Sequence, residues 1–226
     1  AYEITYGDWS SDVCSSDLPA GPSRRAKPQV TRQDGGVTNI PTTSVGVLLA
    51  AGRGSRFTGA THKLLAPLRG RPVMSWALDA AQGAGFAHLV VVTGAVDIGH
   101  LIPDHLHVVH NPRWDEGQAT SIAAGITAAR ALGATSVVIG LADQPFVSST
   151  AWKEVAGCTS PIAVATYDGV RGHPVGLADS VWPLLPTTGD VGARDVMRLR
   201  PELVREVACE GSADDIDTEE DLAPWT

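Results

Sequence analysis

Among the 226 residues, chemistry is concentrated first in one glycine-rich stretch, Leu49-Ala50-Ala51-Gly52-Arg53-Gly54-Ser55-Arg56, followed by Lys63-Leu64-Leu65. Glycines let a backbone approach a phosphate closely, and successive amide N–H groups form a concave anion site. Arg56 offers a planar fork for phosphate oxygens and Lys63 a point charge. Two familiar phosphate loops do not fit. A dinucleotide fingerprint starting at Gly52 needs glycine at position 57, which is Phe57, and a Walker loop starting at Gly54 needs lysine at position 60, which is Ala60. By glycine content and charge alone, the stretch reads equally well as an ordinary strand-to-helix turn with exposed bases.

A second group of residues is acidic. Asp143-Gln144-Pro145 directly follows the apolar run Val137–Leu141. A carboxylate at the carboxyl end of a strand can hold Mg²⁺, which prefers oxygen ligands and nucleotide phosphates, although an Asp before a bend also serves as a turn cap. Near the end, Asp214-Asp215-Ile216-Asp217-Thr218-Glu219-Glu220-Asp221-Leu222 reads as an acidic helix start capped by Asp217 or Thr218. His100, His105, His107 and His110 lie close together, with His105 and His107 on one expected strand face. They have no cysteine partner and no helical His pair, so exposed edge positions explain them better than zinc. Cys158 and Cys209 read as ordinary buried or half-buried residues, and Trp76 and Trp152 as packing.

The elements that must position these groups alternate. Continuous apolar runs at Val45–Ala50, Leu89–Thr93 and Ser136–Ala142 predict strands covered on both faces, with further strands at Val108–Val109 and Ile162–Thr166. Helical spacing covers Pro72–Ala84 and Ala119–Leu132, with Gly85 and Gly133 beyond their ends. After Thr166 a strand at His173–Leu177, helices near Ser180–Leu185 and Ala193–Leu199, and a strand at Leu203–Cys209 are expected. This alternation predicts a single α/β domain: a Rossmann-like, mixed but mostly parallel sheet with helices on both faces. Ligands bind beyond the carboxyl ends of such strands. The glycine loop, the Gly94 turn, Asn111–Gln118 and Asp143–Pro145 therefore share one rim.

Composition limits the partners. The 25 acids and 17 bases give a net charge of −8, contrary to the basic surface of a polymeric nucleic-acid binder. No apolar run approaches a membrane span, and three cysteines are too few and too scattered for a disulfide framework. A cytoplasmic protein with no nucleic-acid or membrane partner is expected. Residues 1–43 hold five acids and four bases without apolar periodicity or the pattern of a secretory signal. Asp8–Leu18 resembles a translated sequencing adapter, an assembly artefact fused to a real reading frame. The working domain is thus expected over residues 44–226.

In their order along the chain, these motifs resemble nucleotidyltransferases with the MobA-like fold, the nucleotide-diphospho-sugar transferase type, and more narrowly the molybdenum cofactor cytidylyltransferases. The likeness spans residues 45–222. It implies that Arg56 and Lys63 act on the phosphates, although Thr58–His62 make the spacing to Lys63 longer than the family's. It implies nucleotide binding by Leu49, Ala50, Ala51, Gly52, Gly54, Ser55, Gly117 and Ser121, with Gly117 letting the base approach and Ser121 opening a helix toward the ligand. Asp143 and Asp217 would hold Mg²⁺, with Asp215 the second choice, and Glu219 stands where the family has proline. Gln144, Pro145, Gly172, His173, Pro174, Gly189, Asp190 and Arg194 would face the acceptor, His173 as a loop residue without acid–base work. The implied reaction moves CMP from CTP to the molybdopterin cofactor and releases pyrophosphate, with a molybdenum hydroxylase receiving the product. Leu49-Ala50-Ala51-Gly52 is similar to the cytidylyl rather than the guanylyl branch. A guanylyltransferase of the same fold or a non-catalytic delivery chaperone are the alternatives, and a sugar-phosphate nucleotidyltransferase fits the motifs less well.

Overall fold

The computed structural model describes residues 39–223. The adapter-like run and nearly all of the expected tail lie outside the described residues. Seven strands form one sheet in the order β5-β4-β1-β6-β8-β7-β9: β1 (Ser44–Ala50), β4 (Leu89–Thr93), β5 (His107–His110), β6 (Ser136–Leu141), β7 (Ile162–Tyr167), β8 (Val170–Ala178) and β9 (Val204–Ala208). β1, β4, β5 and β6 pair in parallel, as do β7 and β9, and β8 runs antiparallel to both its neighbours. The mixed, mostly parallel α/β sheet expected from the alternation is what forms.

Burial explains the sequence of the central strands. Every residue of β1 and β4 is buried, so both read as continuous apolar runs rather than alternating ones. On one face Leu48, Val91 and Val138 pack against α1 (Val73–Gly83) and α3 (Ser149–Ala156). On the other, Val47, Val92 and Ile139 pack against α2 (Gln118–Ala131) and α4 (Arg194–Leu199). A third, small cluster of Leu68, Val73, Ile216 and Leu222 ties a two-stranded hairpin, β2 (Pro67–Leu68) and β3 (Arg71–Pro72), to the terminal α5 (Glu219–Leu222).

Several local expectations change. His105 lies in the turn before β5, so it shares no strand face with His107; instead the His107 ring meets His88, Nε2 to Nδ1 at 3.3 Å. Asp179–Leu184, with Pro183 inside, forms a 3₁₀ turn where a helix was expected. α3 was not anticipated. His173 sits within β8 rather than in a loop. Val164 pairs with Val175 and Ala165 with Gly172, so His173 and Pro174 bulge from the ladder. Trp152 is buried, while Trp76 lies under the Arg71 guanidinium and donates to Leu68 O, so both do pack.

Candidate active site

Two clefts open along the carboxyl ends of the strands. The first, about 540 Å³, is lined by Leu49, Ala50, Ala51, Gly52, Gly54, Ser55, Arg56, Lys63, Gly117, Ser121, Asp143 and Asp217. The structure thus brings together every residue expected at the nucleotide, phosphates and metal. The second, about 660 Å³, is lined by Gln144, Gly172, His173, Asp190 and Arg194. Pro145, Pro174 and Gly189 were grouped with these, and they line neither cleft.

The glycine loop leaves β1 and folds back on itself. Gly54 has φ +64°, and a Cβ there would lie 3.1 Å from Lys63 Cγ. The segment that lengthens the spacing to Lys63 ends in His62, whose Nδ1 accepts from Leu64 N at 3.2 Å. The other nitrogen, Nε2, therefore carries the proton and donates to Gly52 O at 3.1 Å. Burial lowers the His62 pKa, in keeping with this neutral form. His62 ties the loop to the short turn Lys63–Leu65 and fixes the root of Lys63.

From that root, Lys63 Nζ donates to Asp143 Oδ2 at 2.5 Å and to Asp217 Oδ1 at 2.8 Å, and Arg56 Nη2 lies 2.8 Å from Asp217 Oδ2. Burial opposes the Lys63 charge, but the two carboxylates outweigh it and raise its pKa. Asp217 is placed by a reciprocal cap: Thr218 caps α5, while Asp221 Oδ2 accepts from the backbone N–H groups of Asp217 and Thr218. Thr218, rather than Asp217, is thus the cap, which leaves the Asp217 carboxylate for the cleft. Asp143 follows β6, and its carbonyl accepts from Ile216 N at 2.9 Å. Gln144, 4% exposed, donates to Ala213 O and to Asp215 Oδ1. Held by that clamp, Asp215 lines the second cleft. Burial first, and the Asp143 charge next, push the Asp215 carboxyl up to about 7.

The wall between the clefts is built on the amino end of α2. A strap, residues 185–193, joins the Asp179–Leu184 turn to α4, and Gly117, at φ +105°, passes so close to its Gly189 that a Cβ would fall 2.4 Å from the Gly189 carbonyl carbon. A glycine at 117 is therefore required by this crossing, at a position that also lines the first cleft. Gly189 O accepts from Ala119 N, and Asp190 Oδ1 from Gln118 N at 3.1 Å. Asp190 thereby caps α2 from across the strap. Ser121 lies in the first turn of α2 and lines the first cleft, but its hydroxyl already accepts from Asn111 Nδ2 at 2.9 Å.

Arg53, Trp114 and Gln118 line the first cleft and were not picked out. The Arg53 guanidinium lies 5.1 Å over the Trp114 ring. Arg53 lies in the glycine-rich stretch and Trp114 in Asn111–Gln118, but a cation–π pair between distant loops leaves no spacing to read.

A glycine-rich loop facing a carboxylate past the end of β6 and another before α5, with two bases between them, suits the handling of a nucleotide's phosphates. Residues 46–207 match the MobA-like NTP transferase domain, and the chain belongs to that family. The purine catabolism protein PucB of Bacillus subtilis is 30% identical over 78% of this chain and 93% of its own. The crystal structure of Rv0371c from Mycobacterium tuberculosis aligns with a TM-score of 0.68 at 30% identity, covering 80% of this chain and 96% of that one. Rv0371c has also been solved in complex with manganese, at 29% identity to this chain, TM-score 0.65 and coverage of 80% and 97%.

The donor set fits a divalent cation. Asp143 and Asp217 direct oxygens onto one positive point, now the Lys63 ammonium. Two carboxylates supplemented by substrate phosphates are a usual Mg²⁺ arrangement. Among the described residues, no helix is long and apolar enough to cross a membrane.

Proposed function

We propose that this nucleotidyltransferase transfers CMP from CTP to the terminal phosphate of the molybdopterin cofactor and releases pyrophosphate. The observation that supports it most is the adjacency of the two clefts, which share Gln118, Leu141 and Asp190 as lining residues. A triphosphate in the glycine cradle and an anionic acceptor near Arg194 approach each other across the Gln118–Asp190 wall.

In this reading an acceptor phosphate oxygen attacks the α-phosphorus while the bond from that phosphorus to the bridging oxygen breaks, and pyrophosphate leaves with the electron pair. The attacking phosphate is already ionised, so no general base is required. Arg56 and Lys63 stabilise charge on the α-phosphate and the leaving group, and the loop amides hold the triphosphate in line. Asp143 and Asp217 would hold Mg²⁺, which supplies charge neutralisation of the phosphates when bound. Ala51 lines the first cleft, and its methyl group, which a glycine would lack, alters the room beside the base; this supports the choice of CTP. The acceptor reading rests on Gly172–Pro174 and Gly189–Arg194, and a molybdenum hydroxylase is the proposed receiver, in the cytoplasm.

Pyrophosphate release measured with CTP, GTP, ATP and UTP, with purified cofactor as acceptor, tests the proposal. CTP should lead. A preference for GTP would move the protein to the guanylyl branch, and binding without release would make it a delivery chaperone.

A further inference from the structure

The two bases that the reaction needs for phosphates are paired with the two acids it needs for a cation. Lys63 Nζ sits on one oxygen of Asp143 and one of Asp217, and Arg56 takes the remaining oxygen of Asp217. The cluster is sheltered: the side chains of Lys63, Asp217 and Asp143 are 11%, 16% and 20% exposed. The Lys63 ammonium is the positive charge placed directly between these two carboxylates.

We propose that the Lys63 ammonium is a resident stand-in for the divalent cation, holding Asp143 and Asp217 in their converged positions and keeping a metal off both until a triphosphate draws the lysine away. This rests on the metal reading of Asp143 and Asp217 given above. The geometry provides for the exchange. The root of Lys63 is pinned by the His62 cap, whereas its four-carbon stem lets the head swing. Gly52, Gly54 and Ser55 line the same cleft, so phosphates in that cradle lie within its sweep. Metal alone would have to expel the ammonium without giving it a new partner. Triphosphate alone would take the ammonium and leave two carboxylates unpaired. Arriving together they replace every ion pair that they break, so each raises the affinity for the other, by the same factor.

The probe is Mn²⁺, followed by the loss of its free-ion paramagnetic resonance signal, on the full chain without nucleotide. Lys63→Met and Lys63→Gln should bind Mn²⁺ about tenfold or more tighter than the wild type, in the range of ordinary site–site coupling. Adding Asp143→Asn to either should abolish the gain. Mn²⁺ should also raise the melting temperature of both lysine variants and leave that of the nucleotide-free wild type unchanged. Equal Mn²⁺ affinity in the wild type and both variants overturns the stand-in role while leaving the metal assignment intact. If Asp143→Asn binds Mn²⁺ with CTP as well as the wild type does, the metal assignment itself fails, and the stand-in role with it.

Discussion

Asp143 and Asp217 are reached from opposite directions, one two residues past the end of the central strand β6, the other through the cap of the last helix. Their types were legible, but each alone reads equally as a cap, and only the order of the motifs along the chain singled them out. Their bonding was not legible: Lys63 meets residues 80 and 154 positions away, and no local spacing encodes that. If Asp143 carries the cation, Asp143→Ala should lower turnover by about two to three orders of magnitude, the usual cost of one transition-state charge contact. Asp215→Asn should cost far less, since Asp215 is held by Gln144. Pyrophosphate release rates compare the two directly. A different residue-scale consequence falls on His173, where burial, reinforced by Arg194 and opposed by Asp143, pushes the imidazole down to about 4. The unfolded chain, with an ordinary histidine near 6.5, therefore takes up this proton first as the pH falls. The contribution of His173 is full above pH 6.5 and is lost between 6.5 and about 4. Urea unfolding at pH 7.5 and pH 5 should show a larger loss in the wild type than in His173→Gln.

At the scale of elements, the long buried strands and the two long helices could be read because their periods differ and glycines end them. α3 escaped because it is only two turns long and shows four buried residues, Ala151, Trp152, Val155 and Ala156. The signal that marks it is Ser148, whose side chain accepts from Ala151 N at 3.1 Å as an N-cap. The β2–β3 hairpin, with two residues per strand, is too short for any alternation. Once placed, α3 imposes a requirement on β6. Trp152, 2% exposed and edge-on to Phe86 with ring centroids 5.9 Å apart, lies where a Cβ on Gly140 would come within 2.3 Å of its ring. Gly140 is therefore demanded by tertiary packing, not by a turn. Gly140→Ala should destabilise the protein by about 1–3 kcal/mol, the usual cost of overpacking a filled core. Chemical denaturation checks this, with the midpoint lowered and the slope unchanged.

Across the whole molecule, topology alone foretold that the glycine loop, Asn111–Gln118 and Asp143 would share one rim, because parallel strands end together there. Asp143, Asp190, Asp215 and Asp217 line these two clefts, but Arg53, Arg56, Lys63 and Arg194 line them as well, so most of the net charge of −8 lies elsewhere. What topology could not foretell is that one wall serves both clefts. That wall depends on a contact between residues 72 positions apart, the crossing of Gly117 and Gly189, because Gln118 and Asp190 line each cleft and are bonded to one another. Gly117, at φ +105° and ψ 166°, occupies a region essentially closed to residues with a side chain. In Gly117→Ala the methyl group meets the Gly189 backbone, so the strap must lift, adding to a backbone strain of about 1–3 kcal/mol. Lifting the strap removes Asp190 from the amino end of α2 and moves Gln118 at the same time. Nucleotide affinity and acceptor KM should therefore worsen together in this variant, by equilibrium CTP binding and by steady-state kinetics with cofactor. A mutant that weakened only one of the two would mean that the clefts are built independently and that the shared wall is only a spacer.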